Sequence, residues 1–360
     1  MELSFEVDVY SKKSLFDYKD EIPCNLKKDE EINTDEVRVV DVVTHCIDDN
    51  KKRYIVTVKY DVVDKEAPLI YLKNVYTVEE GYTKKLTDVI ISADNYDKSP
   101  KREIIGEYDF NKIGNYNLVY KVTDSSGNET SKDFILSVIK KQKTNNNNNN
   151  SFIAFSNVVR DYKKDDALIG IDVSKWQGKI DFEKVKEAGC EFVMIRIGYQ
   201  DGFDGESIMD PYFEQNIKNA SDVGLKIGVY YYSYAKSFDE SLKQAEWIIE
   251  KLNGRKLDLP ITFDWESWSS FNSINMNLHD FNKMADIFME KAIEKGYEGM
   301  LYSSKNYLEN IWYEQKYKTW LAHYTYKTTY EGKYYMWQMC SDGRIDGIDG
   351  DVDIDVLYLN

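Results

Sequence analysis

Asn145 to Asn150 form an unbroken run of six asparagines, preceded by Lys140-Lys141-Gln142-Lys143-Thr144. A polar run of this kind buries no apolar surface, so it reads as a flexible linker and no single hydrophobic core passes through it. The 360 residues must therefore fold on either side of it. At roughly 150 residues per domain there is room for two or three domains. Before the run the sequence reads as β structure. After about Ala167 it alternates strand and helix.

The N-terminal half carries a weak internal repeat. Val58-Lys59-Tyr60-Asp61-Val62-Val63-Asp64 lines up with Leu118-Val119-Tyr120-Lys121-Val122-Thr123-Asp124, sixty residues later. Apolar residues alternate in both copies, as in a half-buried strand. Turn chemistry follows each: Lys65-Glu66-Ala67-Pro68 and Ser125-Ser126-Gly127-Asn128. Short strands at this spacing predict two small β-sandwiches, 1–66 and 67–140, with 141–166 as the linker. No catalytic constellation is visible in this half, where His45 stands alone.

The C-terminal half, 167–360, predicts eight strands: 168–174, 192–199, 227–234, 260–266, 299–304, 318–324, 335–340 and 354–359. Helical patterns fill 182–188, 209–223, 238–252, 277–295 and, briefly, 304–313. In the third, Leu242, Ala245, Ile248, Ile249 and Leu252 share one face. The last three strands are too close for full helices between them. The expected fold is an irregular (β/α) TIM-like barrel, whose site would lie at the C-terminal strand ends. Acidic residues gather there: Asp172 closes the first strand, Asp264 and Glu266 close the fourth, and Asp353 precedes the eighth. Residues i and i+2 of a strand share a face, so Asp264 and Glu266 stand roughly 6–7 Å apart with Trp265 turned away. Two carboxylates at that spacing push their pKa values apart, as glycosidic cleavage needs: a protonated acid and an anion near the developing positive charge. Trp176, Tyr230, Tyr232, Trp320, Tyr324 and Trp337 supply flat faces of the kind that meet sugar rings.

Composition narrows the function classes. Lys+Arg 47 against Asp+Glu 63 leaves a net charge of −16, which argues against a nucleic-acid groove and against docking on an anionic membrane. No apolar run approaches the roughly 18 residues that span a bilayer. The first residues have neither a basic start nor an apolar stretch, so the chain is expected to be cytosolic or to carry a leader outside this sequence. Four cysteines without a CxxC give no zinc site; a Cys24–Cys46 pair is conceivable, four reduced thiols being the alternative. Asp351-x-Asp353-x-Asp355 begins like a calcium loop, but Val356 stands where Gly is needed and no Glu follows at the twelfth position. His323 has no Ser or Cys partner motif, and His279 precedes Asp280 at a helix start. No metal and no cofactor is expected.

The segment Gly170-Ile171-Asp172-Val173-Ser174-Lys175-Trp176-Gln177-Gly178-Lys179-Ile180-Asp181-Phe182 resembles the opening of the family-25 glycoside hydrolases, the Chalaropsis-type lysozymes. The resemblance continues in order through Phe192–Arg196, Gly224–Ser233, Asp264-Trp265-Glu266, Trp320–Tyr324, Trp337-Gln338 and Gly347–Asp355. It covers about 167–360. In the other half, Ala67-Pro68-Leu69-Ile70, Val78–Gly81, Ile113–Tyr116 and Val122–Asn128 resemble bacterial immunoglobulin-like modules of surface proteins. Such modules usually serve as spacers or wall contacts.

The barrel's resemblance implies hydrolysis of the β-1,4 bond between N-acetylmuramic acid and N-acetylglucosamine. It implies Glu266 as general acid, Asp264 as partner to a substrate acetamido group, and Asp172 and Asp353 flanking them. Trp176, Arg196, Tyr230, Tyr232, Trp320, Tyr324 and Gln338 are the implied substrate contacts. The family often has Asn where this chain has Asp355. The implied partner is the peptidoglycan glycan strand, met outside the cell or in the wall; release of a cytoplasmic, phage-type enzyme is the lesser alternative. An N-acetylglucosaminidase or chitinase on the same barrel, or a wall-binding protein without activity, are the other readings.

Overall fold

A computed structural model describes residues 2–141 and 152–359; the asparagine run lies outside them. The chain forms two compact units, Met1–Lys140 and Lys141–Asn360.

The first unit is all β. Its opening part contains β1 (Glu2–Asp8), β2 (Asn25–Leu26), β3 (Val39–Ile47) and β4 (Arg53–Val63), in the sheet order β1-β4-β3-β2. Val56, Val58, Tyr60 and Val62 of β4 point to one face and are fully buried. That face is covered by Leu15, Ile22 and Ile32, which come from the irregular chain between β2 and its neighbours. A disulfide joins Cys24 to Cys46, with Cα atoms 5.5 Å apart, and staples this cover to β3. No second sheet packs against the first, so the sandwich expected at 1–66 is corrected to one covered sheet. The reason is legible in 9–38: its apolar residues are too sparse to make more than the two-residue strand β2.

The second part contains β5 (Leu69–Ile70), β6 (Val75–Glu79), helix α1 (Leu86–Val89), β7 (Ser92–Ala93), β8 (Lys101–Ile105), β9 (Gly114–Thr123) and β10 (Glu129–Ile139). A sheet of order β6-β10-β9-β8 stands with a two-stranded β5–β7 ribbon. Leu118, Tyr120, Val122, Phe134, Leu136 and Val138 form its core with Ile70, Leu72 and Leu86. The two parts share a plan: in each, the first long strand pairs parallel to the last, β1 with β4 and β6 with β10. The sequence repeat, however, aligns β4 with β9. It matches like-patterned strands that hold different places in their sheets.

The second unit is a closed eight-stranded barrel. After β11 (Ile153–Ala154) and α2 (Phe155–Tyr162) come β12 (Ala167–Val173), α3 (Phe182–Glu187), β13 (Phe192–Gln200), β14 (Ser207–Met209), α4 (Phe213–Asp222), β15 (Lys226–Ser233), α5 (Phe238–Leu252), β16 (Ile261–Trp265), α6 (Leu278–Glu294), β17 (Gly299–Ser304), α7 (Lys305–Leu308), β18 (Lys318–Ala322), β19 (Met336–Arg344) and β20 (Val352–Tyr358). The ring runs β12-β13-β15-β16-β17-β18-β19-β20 and closes on β12. Most strand residues are buried on both faces, as parallel strands under helices require. The residues given to the linker from 152 on are folded instead. Phe155 and Val158 of α2 are buried, and β11 pairs with β19.

One strand departs from the expected barrel. β20 runs antiparallel to both β19 and β12, whereas the other pairs around the ring are parallel. The connection from Arg344 to Val352 is too short for a crossover, which needs about a dozen residues or more. It turns instead through Gly347 and Gly350, both at positive φ. Reversal carries the start of β20, with Asp353, to the end of the barrel where the parallel strands finish.

Candidate active site

A cavity of about 220 Å³ opens at that end. Its lining includes eleven residues singled out in the sequence, Asp172, Trp176, Arg196, Tyr230, Tyr232, Asp264, Glu266, Trp320, Tyr324, Gln338 and Asp353, but not Trp337. Ser174, Gln177 and Tyr302 line it as well. Tyr302 lies opposite Asp264 in the β16–β17 register, a strand-end position that could have flagged it. Trp265 faces away, buried, and its indole N–H donates to the Ala235 carbonyl at 3.0 Å.

Asp264 and Glu266 face the cavity with their carboxyls within hydrogen-bond reach. Asp264 is buried, while Glu266 opens to the cleft. Burial is the main cause that raises both pKa values; the Glu266 charge raises Asp264 further and the Arg196 guanidinium opposes it. Two acids this close push their pKa values apart. Asp264 Oδ1 has no hydrogen-bond donor among the described residues.

Asp172 and Asp353 are paired across β12 and β20. Burial, then the charges of its neighbours Asp353 and Asp355, raises Asp172 well above the carboxylate range. Burial, then Glu266, pushes Asp353 up to about 7. Asp355 is fully buried beside Asp172, and burial, then the Asp353 charge, raises its pKa well above the ordinary value. A chain of bonds fixes this pair. Tyr302 and Tyr324 donate to Gln338 Oε1 at 2.7 and 3.2 Å. Gln338 Nε2 donates to Asp172 Oδ2 at 2.8 Å, and Trp320 Nε1 donates to Asp355 Oδ1 at 2.8 Å.

The aromatic residues separate by exposure. Trp176 is 77% exposed and Tyr324 58%, so these two offer open ring surface at the cleft. Trp320 is 1% exposed, its ring edge-on to Tyr230 and Tyr302. It makes the cavity floor rather than an open sugar platform, a correction to the sequence expectation. Trp337 is buried and donates to the His323 carbonyl. Arg196 also differs from a free substrate contact. It is buried and paired with Asp210, at 2.7 Å, whose carboxylate also accepts from Lys175 N–H. Arg196 thereby braces the loop that presents Trp176; nothing in the sequence links it to Asp210.

An acidic cleft with a buried carboxylate pair, at the end of a closed barrel, is an arrangement that suits glycosidic cleavage. Residues 171–348 match the model of the glycosyl hydrolases family 25. The C-terminal unit is a domain of that family. An uncharacterized protein, YegX, of Escherichia coli K12 is 28% identical over 52% of this chain and 68% of its own length. The autolytic lysozyme of Clostridium acetobutylicum is 28% identical over 52% of this chain and 54% of its own. Lysozyme M1 of Streptomyces globisporus is 26% identical over 51% and 65%. The chain thus spans between half and about two thirds of these relatives.

Proposed function

We propose that this chain is a muramidase that cleaves the β-1,4 bond between N-acetylmuramic acid and N-acetylglucosamine in peptidoglycan. One observation carries the reading: a buried Asp264 and a cleft-facing Glu266 stand within hydrogen-bond reach of each other, while Asp264 Oδ1 lacks a donor. The family match and the two lysozymes among the relatives supply the substrate class.

In this mechanism Glu266 gives its proton to the leaving glycosidic oxygen as the C1–O bond breaks. The acetamido carbonyl oxygen of the same sugar attacks C1, and its N–H is held by Asp264, whose Oδ1 is free to accept it. Water then adds at C1 and displaces the acetamido oxygen, which returns to its carbonyl, as Glu266 takes one of the water's protons; this restores the acid and leaves a new reducing end. Substrate assistance of this kind departs from the usual two-carboxylate scheme. Tyr230 and Tyr232 keep their protons, since burial raises both, and so serve as donors to the sugar, while the Tyr302 hydroxyl is spent on Gln338. Trp176 and Tyr324 hold sugar faces at the rim. Replacing Glu266→Gln tests the assignment: turnover should fall by about 10²–10⁴ while wall binding persists. An undiminished rate removes Glu266 from this role, and lost binding points to a general defect.

The chain acts on the wall from outside the cytoplasm, and the Cys24–Cys46 disulfide suits that oxidising setting. In this reading the N-terminal β unit serves as a spacer or a wall contact.

A further inference from the structure

Asp64, Asp94 and Asp124 bring three carboxylates together inside the N-terminal unit. Asp64 follows β4 of the first β part; Asp94 and Asp124 follow β7 and β9 of the second. They are only 6%, 1% and 7% exposed. Their ligand oxygens lie within 4.8 Å of one another, and no lysine or arginine pairs with them among the described residues. Two Ca–O bonds placed end to end span about 4.6–5.2 Å, so one ion can reach all three.

A second observation points to a ligand. Asn95 is buried to the same degree, and its Nδ2 reaches Asp64 Oδ1 at 3.1 Å. The oxygen of that amide, Asn95 Oδ1, has no donor. Asp64 Oδ2 and Asp94 Oδ1 have none either. The opposite oxygens are occupied: Asp64 Oδ1 accepts from Glu66 N–H, and Asp94 Oδ2 from Tyr96 and Asp97 N–H. Backbone donors therefore orient these two carboxylates while one oxygen of each stays vacant. Asn128 Nδ2, on Asp124 Oδ2 and the Asp64 carbonyl, ties the third to the same place. Buried oxygens without donors are the signature of a missing positive partner. All are hard oxygen ligands, the set that takes Ca²⁺.

We propose that Asp64, Asp94, Asp124 and Asn95 bind one Ca²⁺ that clamps the first β part of the N-terminal unit onto the second. Asp64 ends the first part just before Lys65-Glu66-Ala67-Pro68 crosses to the second. The ion holds both sides of that crossing and stiffens the unit. Zinc is disfavoured, since no His or thiolate is among the ligands.

The site is independent of the muramidase reading, and its test needs no hydrolysis. The full-length protein, stripped with a chelator, is titrated with CaCl₂ by calorimetry and then melted with and without the ion. One saturable site per chain is expected, at the roughly 10⁻⁴–10⁻³ M typical of extracellular modules, with a rise in the melting temperature of the N-terminal unit. Asp124→Asn should weaken binding at least tenfold. Should that variant not fold, Asn95→Ala is read in its place. Absence of saturable binding up to about 10 mM Ca²⁺, an order above the weakest such sites, overturns the proposal. So does unweakened binding in the folded variant, or equal affinity for Mg²⁺.

Discussion

Glu266 and Asp264 are two residues apart on one strand end, yet their surroundings differ. Asp264 is sealed beneath the cleft and near Arg196; Glu266 meets solvent. A proton on Glu266 can reach an incoming oxygen, whereas one on Asp264 cannot leave easily. In the proposed mechanism the leaving oxygen takes that proton, so the rate should fall as pH rises through the raised Glu266 pKa. The descending limb of kcat/KM should therefore lie above the ordinary carboxylate range, with Asp353, at about 7, adding its charge to the same limb. Asp353→Asn should change the shape of that limb, because it removes the second carboxyl that titrates there. An unchanged limb would separate Asp353 from the acid. Asp355 offers a second test. Asn at that position can still accept from Trp320 Nε1 and can donate to Asp172. Asp355→Asn should keep activity and raise stability at neutral pH, whereas Asp355→Leu should lose both; thermal melts beside activity assays decide it.

At the scale of elements, the barrel strands hold the site by close approach. A Cβ on Gly170 of β12 would stand 2.5 Å from the Phe192 carbonyl oxygen of β13, which is backbone and cannot step aside. Gly170→Ala should cost about 1–3 kcal/mol and displace Asp172, two residues on, so stability and turnover should fall together. Wild-type melting in this variant would show that the strands have slack. Much of this unit was legible beforehand. Helix 238–252 matches α5, and strand 299–304 matches β17, because long amphipathic patterns and buried strand runs leave few alternatives. The acidic strand ends located the cleft for the same reason. What was hidden is long-range. The direction of β20 depends on pairing with β12, some 180 residues away. The Arg196–Asp210 bond and the buried state of Trp320 arise only on closure. In the N-terminal unit, alternation revealed strands but not their partners, so the repeat aligned β4 with β9, and two sandwiches were expected where covered sheets stand.

Across the whole molecule, charge sets the behaviour. Asp172, Asp264, Asp353 and Asp355 all bind protons more tightly folded than unfolded. The native state therefore carries more protons, and stability declines as pH rises from the ordinary carboxylate pKa of 3.8 to about 7, the folded value for Asp353. The melting temperature of the C-terminal unit should be higher at pH 5 than at pH 8; the reverse order would contradict the raised values. The net charge of −16 also opposes an anionic wall. At low ionic strength like charges slow encounter, so activity should rise from low to moderate salt as screening sets in, and a flat profile would count against that effect. The most direct measurement is digestion of purified peptidoglycan by the wild-type chain, with borohydride reduction and mass spectrometry of the soluble fragments. Reduced muramic acid at the new ends is the expected result. Reduced glucosamine ends, or no release by folded protein between pH 4 and 8, would contradict the muramidase assignment.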